Sequence, residues 1–596
     1  MTPKKRVQLF LFLFLSILAL FPLSALAAHQ PQYHLKLLAV QESSQGYLGS
    51  DADVYLELKE GSGRVFLETY PLTKMDTQIS TRFAKEIACA HFKLDCSNYD
   101  FIFTIKSKSS IIGGPSAGAA IAALTTIAVL DLPYDENIAI TGTVNSGGII
   151  GPVGGVKEKI EAASQTGLKT VLIAQGTALH TDDDSNQTLD LILYGKETLG
   201  INVMEVNDLD EVILKLTGVD LNHKSVQLTE DPTYKTIMQG LQRTLCQRTE
   251  KIESELGQRN ILLDANITPI ILQKKGQADN ATLQGDYYSA ASYCFGVNIQ
   301  LKTYYYQHED LTVEEMEGLF SLLEGKLKTT DQKLAQQTIE TIADLQTTMI
   351  VKERLQDVRE QMAEFKENQD IQSPEELAGL IAYAEERYFS AQSWMQFFSM
   401  DGKKFIVDAE MLENTCRRKV SEAEEWHQYV NLFIDDFATS SIADKIQTAK
   451  AAQNRTEYEL CLITASQAKA DANAILSSIG VSEDSVDAFI ENKRLAAERV
   501  IAENSAESIF PILGYSYYRY ANSLKHDEKF TALVYLEYAL EMSDLGIYFP
   551  EEQQYASEVS TLPLLPERWA WGMGGVLVGV SIGFLLFFLN IKKRKR

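Results

Sequence analysis

Short apolar runs and helix-like stretches alternate along the N-terminal third of the chain. Runs rich in β-branched residues predict strands at 54–58, 65–69, 101–105, 138–141 and 170–174. Apolar residues at helical spacing predict helices at 80–90, 116–130 and 157–166. The first two strands flank the glycine-containing segment 60–63, which predicts a β-hairpin. This alternation predicts one compact α/β (α+β) domain over residues 28–220.

A different pattern occupies the chain from about residue 232 to residue 544. Apolar, alanine and tyrosine positions recur at helical spacing, as in the tyrosine-rich stretches 287–293, 383–388 and 515–520. A fixed period of about 34 residues is not visible, so a plain bundle and a repeat-like array of helical hairpins both stay open. The pattern predicts a mostly α-helical domain over residues 225–560.

Both ends of the chain carry apolar segments beside basic residues. Residues 1–27 combine a basic start, an apolar run and small residues before a cleavage-type site, which is typical of a secretory signal peptide. Residues 569–591 are uncharged and long enough to cross a hydrocarbon core of about 30 Å, and the basic tail 592–596 favours the cytoplasmic side. We therefore predict one C-terminal transmembrane helix, with the lipid bilayer as a partner. The predicted location is the cell membrane, single-pass, with both domains outside the cytoplasm.

The charge balance restricts the possible partners. The chain has 55 Lys and Arg against 81 Asp and Glu, which gives a net charge of −26 at pH 7. Non-specific nucleic-acid binding needs a basic surface. We therefore expect no nucleic-acid partner, and the acidic surface is typical of a solvated, self-repelling protein.

The six cysteines fall into three neighbouring pairs along the chain. An even number outside the cytoplasm permits disulfides, although the sequence alone leaves other pairings open. Pairing in chain order predicts the bridges Cys89–Cys96, Cys246–Cys294 and Cys416–Cys461. Cys-x-x-Cys and His-Glu-x-x-His motifs do not occur, so no metal site is predicted.

A serine stands at the start of the predicted helix 116–130. It belongs to the segment 113–118, Gly-Gly-Pro-Ser-Ala-Gly, whose glycines allow a substrate backbone to come close. Backbone N–H groups at a helix start can stabilise an oxyanion, and the Ser116 hydroxyl needs a base to become a nucleophile. The segment also fits the nucleophile elbow of α/β-hydrolases, which would recruit the acidic residues at 182–184 and His223.

A second glycine-rich segment makes the functional interpretation of the Ser116 segment far more specific. Residues 141–159 contain Thr-Gly and then Gly-x-Val-Gly-Gly-x-x-Glu-Lys, and residues 167–173 read Gly-Leu-Lys-Thr-Val-Leu-Ile. With the Gly-Pro-Ser-Ala-Gly segment before them, these motifs follow the order of the Lon protease family. The region 34–215 resembles the proteolytic domain of that family, most strongly over 112–174. The likeness is closest to the archaeal membrane-bound Lon-like serine proteases that lack the ATPase module.

The resemblance implies a catalytic dyad of Ser116 as the nucleophile and Lys159 as the general base. It also implies a hydrogen bond from Thr141 to the catalytic lysine, and oxyanion contacts from Gly114 and the Ser116 backbone. Lys157 is a rival base two residues away. Two residues at this spacing on a helix point in different directions, so only one of them can face the serine. The match to the family motif selects Lys159.

A lysine must lose its proton before it can act as a base near neutral pH. Its ordinary pKa is about 10.4, and burial in an apolar setting lowers it. Val153, Val156 and Ile160 surround Lys159 in the sequence and can supply that setting.

The sequence departs from the family in two respects. The phosphate-binding motif G-x-x-x-x-G-K-[ST] does not occur, so ATP is not an expected partner and no cofactor is predicted. Gly113 and Thr143 stand where some bacterial relatives carry acidic residues, which bears on substrate preference. Because Lon-type domains tend to form rings, the resemblance also implies a homo-oligomer.

These observations favour a membrane-anchored, ATP-independent serine endopeptidase that hydrolyses unfolded or membrane-adjacent proteins and peptides. An alternative from another class is a membrane-tethered helical interaction protein whose Lon-like domain is inactive. A third possibility is an ester-cleaving α/β-hydrolase that depends on His223 rather than on Lys159.

Overall fold

Mixed α/β structure is followed by wholly helical structure along the chain. The computed structural model describes residues 32–549. The gaps within that range are 44–45, 74, 108–114, 182–187, 222–225, 310, 370, 399, 432–433, 435–437 and 479–485. The change falls between residues 217 and 232, which agrees with the predicted order of an α/β region and a helical region.

Eleven strands and seventeen α-helices lie within the described residues. The strands are β1 Gln32–Ser43, β2 Gly46–Glu60, β3 Val65–Tyr70, β4 Tyr99–Ser107, β5 Ile138–Thr141, β6 Thr143–Val144, β7 Ile150–Gly151, β8 Thr170–Ala174, β9 Leu179–Thr181, β10 Thr188–Asp190 and β11 Asn202–Val206. The helices of the first region are α1 Met75–His91, α2 Gly118–Leu130, α3 Val156–Gln165, α4 Leu191–Tyr194 and α5 Leu209–Thr217. Those of the second are α6 Pro232–Gln258, α7 Thr268–Leu283, α8 Tyr287–Gln307, α9 Val313–Leu334, α10 Ile342–Asn368, α11 Pro374–Trp394, α12 Ala409–Val430, α13 Ser440–Asn454, α14 Tyr458–Ser478, α15 Val486–Ala506, α16 Ile512–Leu524 and α17 Lys529–Ser543.

The first sheet has the strand order β1-β2-β4-β3. β1 pairs antiparallel with β2 over the whole length of β1, and β2 pairs antiparallel with β4. β3 pairs parallel with β4. The β-hairpin expected from the first two predicted strands is therefore wrong, because β4 lies between β2 and β3.

The carboxylate of Asp100 binds the segment between β2 and β3, and these contacts favour pairing of β3 with β4 over a hairpin with β2. Its Oδ1 accepts hydrogen bonds from the backbone N–H groups of Ser62 and Arg64, at 2.9 and 3.1 Å. The Arg64 guanidinium pairs with Oδ2 at 2.6 Å. These contacts hold the segment after β2 against the first residues of β4, so β3 enters on the far side.

The second sheet is parallel, with the order β11-β8-β5. Helix α3 contacts β1 and β2 of the first sheet as well as β5 and β8 of the second. Helix α2 is buried along nearly all of its length, because its alanine-rich sequence presents small side chains to the elements around it. The short strands β6 and β7 pair antiparallel and form a hairpin directly after β5.

The helical region is organised around one large core. The core contains many aromatic side chains, among them Tyr234, Trp394 and Phe397. The helices α9, α10 and α11 each begin with a capping box, in which a Ser or Thr side chain and an acidic side chain three residues later satisfy backbone N–H groups at the helix start.

Three disulfides link the cysteines, in the pairs named from the sequence. Cys89–Cys96 joins the end of α1 to the segment that follows it. Cys246–Cys294 links α6 to α8, and Cys416–Cys461 links α12 to α14. Two of the three bridges therefore tie together helices of the second region.

The membrane architecture predicted from the sequence is contradicted. Among the helices that the structure describes, none is both long and apolar enough to cross a bilayer. The very apolar helix α2 has 13 residues, which span about 20 Å, short of a hydrocarbon core of about 30 Å. This finding does not support the C-terminal transmembrane helix, the lipid partner or the single-pass membrane location. The predicted span 569–591, the tail 592–596 and the signal segment 1–27 lie outside the described residues.

Candidate active site

Ser116 lies in a short 3₁₀ turn, Pro115–Ala117, directly before α2. It is half-buried. The backbone N–H of Gly142 donates to the Ser116 carbonyl oxygen at 3.1 Å, and the N–H of Ala119 donates to the Gly142 carbonyl at 3.0 Å. The turn and the start of α2 are therefore both bonded to Gly142, the residue that follows β5.

Lys159 lies in α3 and is almost completely buried, with 2% of its surface exposed. Its neighbours Val156 and Ile160 belong to an apolar cluster that includes Leu38 of β1, and the half-buried Val153 packs against this cluster. Burial lowers the pKa of Lys159 to about 7, although the nearby negative charge of Glu158 acts in the opposite direction. At neutral pH a large fraction of this side chain is therefore an uncharged amine that can accept a proton.

The rival base, Lys157, has a different environment. It is half-exposed, whereas Lys159 faces the core from the same helix. This difference follows from the helical spacing of Val156, Lys159, Ile160 and Ala163, which are all buried on one face of α3.

The Ser116 turn and α3 contact the same two strands. β1 and β5 each lie against the turn and against α3. Thr141 is the last residue of β5, one residue before the Gly142 that bonds to Ser116. It is fully buried, and its hydroxyl has no hydrogen-bond partner within the described part of the chain.

Several residues of the sequence hypotheses fall outside the described residues. They are Gly113 and Gly114 before the serine turn, and the acidic residues 182–184 and His223 of the α/β-hydrolase alternative. Thr143 is described and buried in β6, opposite Gly151. Within the described ranges, no three or more His, Cys, Asp or Glu residues are grouped so that they could hold a metal ion.

Gly49 is a residue of this region that the sequence analysis missed. It lies in β2, and a Cβ built on it would come within 1.9 Å of the backbone carbonyl oxygen of Glu158. A glycine is thus required for β2 to lie against the turn of α3 that carries Lys159. The sequence signal was an isolated glycine within a strand, which often marks such a close backbone approach.

Replacing Gly49 by alanine is expected to destabilise the protein by about 1–3 kcal/mol, because the new methyl group must push α3 away from β2. Urea unfolding of the two proteins measures the difference. The control is Gly276→Ala in α7, where no atom of the described residues lies within 4 Å of an added Cβ, and it is expected to raise stability by up to about 1 kcal/mol. Equal stability of Gly49→Ala and the unchanged protein would contradict this packing.

Comparison with known proteins gives matches in this region. A family model described as the Lon protease (S16) C-terminal proteolytic domain matches residues 105–216, which include Ser116, Thr141 and Lys159. An archaeal Lon protease of Methanocaldococcus jannaschii is 34% identical over 127 residues, 21% of this chain and 17% of that protein.

Two further relatives give the same result. A Lon protease of Methanosphaera stadtmanae is 38% identical over 119 residues, 18% of this chain and 14% of that protein. A Lon protease of Paraburkholderia phytofirmans is 30% identical over 169 residues, 27% of this chain and 20% of that protein. The matched part is thus between 14% and 20% of the length of these relatives. The resemblance of this region to the proteolytic domain of the Lon protease family, inferred from the ordered motifs, is confirmed.

Proposed function

Residues 105–216 form a proteolytic domain of the Lon protease family, and from this premise we propose that the chain is a serine endopeptidase with a Ser116–Lys159 dyad. The observation that carries the proposal is the buried Lys159, whose pKa is lowered to about 7 on a helix that shares two strands with the Ser116 turn. A surface lysine would hold its proton at neutral pH and could not act as a base.

In the proposed reaction, the Lys159 amine takes the hydroxyl proton of Ser116 while Oγ attacks the carbonyl carbon of the scissile peptide bond. The tetrahedral intermediate collapses to an acyl-enzyme, and the leaving amine receives the proton from Lys159. A water molecule then gives a proton to Lys159 and attacks the ester. The bond between the acyl carbon and Oγ then breaks, and Lys159 returns the proton to Oγ, which releases the new carboxyl group and restores the Ser116 hydroxyl.

Two other groups support the dyad in this proposal. The hydroxyl of Thr141 hydrogen-bonds the Lys159 amine and orients its lone pair, which would give this buried hydroxyl a partner. The backbone N–H of Ser116 stands at the start of a helical segment, where N–H groups are free of intrahelical partners and can stabilise an oxyanion. Gly114 is the second proposed contributor to the oxyanion hole.

The proposed substrates are unfolded or flexible polypeptides, cleaved without ATP. The sequence has no phosphate-binding motif of the G-x-x-x-x-G-K-[ST] type to drive unfolding. Extended chains do not need ATP-driven unfolding to reach the serine turn. The helical region would recruit these chains or limit their access to the turn.

The pH dependence of cleavage tests the proposed base. Because Lys159 is inactive when protonated, kcat/KM for an unfolded protein substrate is expected to rise about tenfold per pH unit below pH 7. The rate should level off above an apparent pKa of about 7. Initial rates from pH 5 to 9, with and without Mg²⁺ and ATP, measure both the pKa and the nucleotide dependence.

The Ser116→Ala variant is measured at every pH as the control for cleavage that does not depend on Ser116. Serine-dependent cleavage with no acid limb near pH 7 would exclude Lys159 as the base. Cleavage only with ATP would contradict ATP independence. The absence of serine-dependent cleavage at every pH would favour the helical interaction protein with an inactive Lon-like domain.

A further inference from the structure

One face of helix α15 lies on the β6–β7 hairpin of the protease domain. Asn492, Ala496 and Arg499 are spaced at i, i+4 and i+7, so they share that face. The hairpin turn, Ser146–Gly148, contacts α15, and a Cβ at Gly147 would lie 3.3 Å from the Cβ of Ala496. The helical region thus touches the glycine-rich segment that follows β5.

The hairpin is shared between two cores. Ile149 is buried in the large core of the helical region, whereas Ile150, the next residue, is buried in the core of the protease domain. Successive residues of an extended segment point to opposite sides, which lets this hairpin bridge the two regions.

Arg499 fixes the hairpin turn from the helical side. Its Nη2 donates to the Gly147 carbonyl oxygen, and its Nη1 donates to Asp210 Oδ2 at 2.9 Å. Asn492 acts on the hairpin through Asn207: its Nδ2 donates to Asn207 Oδ1 at 2.8 Å, and the Asn207 carbonyl accepts from the Ile150 N–H at 2.8 Å. The planar guanidinium can make two directed hydrogen bonds at once, which a lysine amine at the same position cannot reproduce.

His91 of α1 completes the cluster around Arg499. Its Nε2 lies 2.8 Å from Asp210 Oδ2, and its Nδ1 lies 3.1 Å from Arg499 Nη2. Burial is the main cause that lowers the pKa of His91, so the ring is neutral at pH 7. These partners assign the ring proton to Nε2, leaving Nδ1 to accept from the guanidinium.

The hairpin leads directly to the serine turn. Gly142, which exchanges hydrogen bonds with the Ser116 turn and α2, immediately precedes β6. A Cβ at Gly118, two residues after Ser116, would lie 3.3 Å from the backbone nitrogen of Val144 in β6. A shift of the hairpin would therefore be transmitted to the backbone around the nucleophile.

We propose that Arg499 is a positioning residue of the active site, through which the helical region holds the β6–β7 hairpin against the Ser116 turn. This inference rests on the proposed protease function, and it assigns the helical region a regulatory contact with the same site. Anything that lifts α15 from the hairpin would slow the chemical step without removing any member of the dyad.

Kinetics of three variants of the full chain test this role. Because a displacement of about 1 Å can reduce a rate about 100-fold, Arg499→Met is expected to lower kcat about tenfold or more while KM stays within about threefold. Arg499→Lys should recover part of kcat, because lysine can pair with Asp210 but not also hold the turn.

The matched control is Arg494→Met on the same helix, since Arg494 bonds to Glu491, Glu498 and Tyr518. Its kcat should be unchanged.

Hydrogen exchange of the amides at 142–151 gives a second readout that does not need activity. Exchange there should be faster in Arg499→Met, with α12 to α14 unaffected. If Arg499→Met does not fold, Arg499→Lys and Asn492→Ala must show the lower kcat and the faster exchange. A folded Arg499→Met with unchanged kcat and unchanged exchange overturns the inference. If the unsubstituted protein shows no Ser116-dependent cleavage, the proposed function fails, and the exchange data still decide whether Arg499 holds the hairpin.

Discussion

Replacing Ser116 by alanine is expected to reduce kcat/KM for peptide-bond hydrolysis by a factor of about 10³ or more, while the protein keeps its fold. The alanine removes the oxygen that forms the acyl-enzyme but leaves the backbone of the Pro115–Ala117 turn unchanged. The Ser116 carbonyl oxygen accepts from the Gly142 N–H, and the Gly142 carbonyl accepts from the Ala119 N–H, so neither bond involves the serine hydroxyl. The thermal unfolding temperature should therefore change little.

Cleavage of an unfolded protein substrate, followed for the unsubstituted chain and Ser116→Ala side by side, measures the effect. Ser164→Ala in α3 is a suitable control, because the Ser164 hydroxyl donates only to the carbonyl of its own helix at Glu161. Cleavage by Ser116→Ala at more than about a tenth of the unsubstituted rate would identify another nucleophile or a contaminating protease.

The position of Lys159 was predictable because local periodicity and family motif agree. Val156, Lys159, Ile160 and Ala163 occupy one helical face, so the lysine falls among apolar core positions. Lys157 lies outside that face, so the helix buries Lys159 and leaves Lys157 half-exposed although the two lysines are only two residues apart. The elements from 101 to 174 were likewise predictable, since strands and helices there carry strong local patterns.

Strand order and inter-region contacts were less accessible from the sequence. The pairing of β3 with β4 depends on the Asp100 carboxylate, which binds a segment 36 to 38 residues earlier in the chain. The contact between Arg499 and Gly147 joins residues 352 positions apart. No periodicity or short motif reports such contacts, because they join residues that lie far apart in the chain and meet only in the folded structure.

Replacing Lys159 by methionine is expected to abolish activity and to stabilise the protein at the same time. Methionine has a similar volume and fits the apolar cluster around Val156 and Ile160, but it cannot accept the Ser116 proton. We expect kcat/KM to fall by a factor of about 10³ or more. Lys159→Arg should be equally inactive, since a guanidinium stays protonated, and it should be less stable because it must bury that charge. Lys157→Met, at the half-exposed position, should keep near-normal activity.

The stability change has a definite pH dependence. The pKa of Lys159 is about 7 in the folded protein and near its ordinary value of 10.5 in the unfolded chain. The unfolded chain therefore binds the proton more tightly. The unfavourable contribution of the buried lysine to the free energy of unfolding is consequently at its largest below pH 7. This cost shrinks as the pH rises from about 7 to 10.5.

Denaturant unfolding should consequently show Lys159→Met more stable by a few kcal/mol at pH 6, with the advantage declining towards pH 10. A methionine variant that is less stable than the unsubstituted chain at pH 6 would mean that Lys159 is a charged structural residue and not a buried base. Greater stability together with lost cleavage is the result expected when a fold retains an unfavourable buried amine for its chemistry.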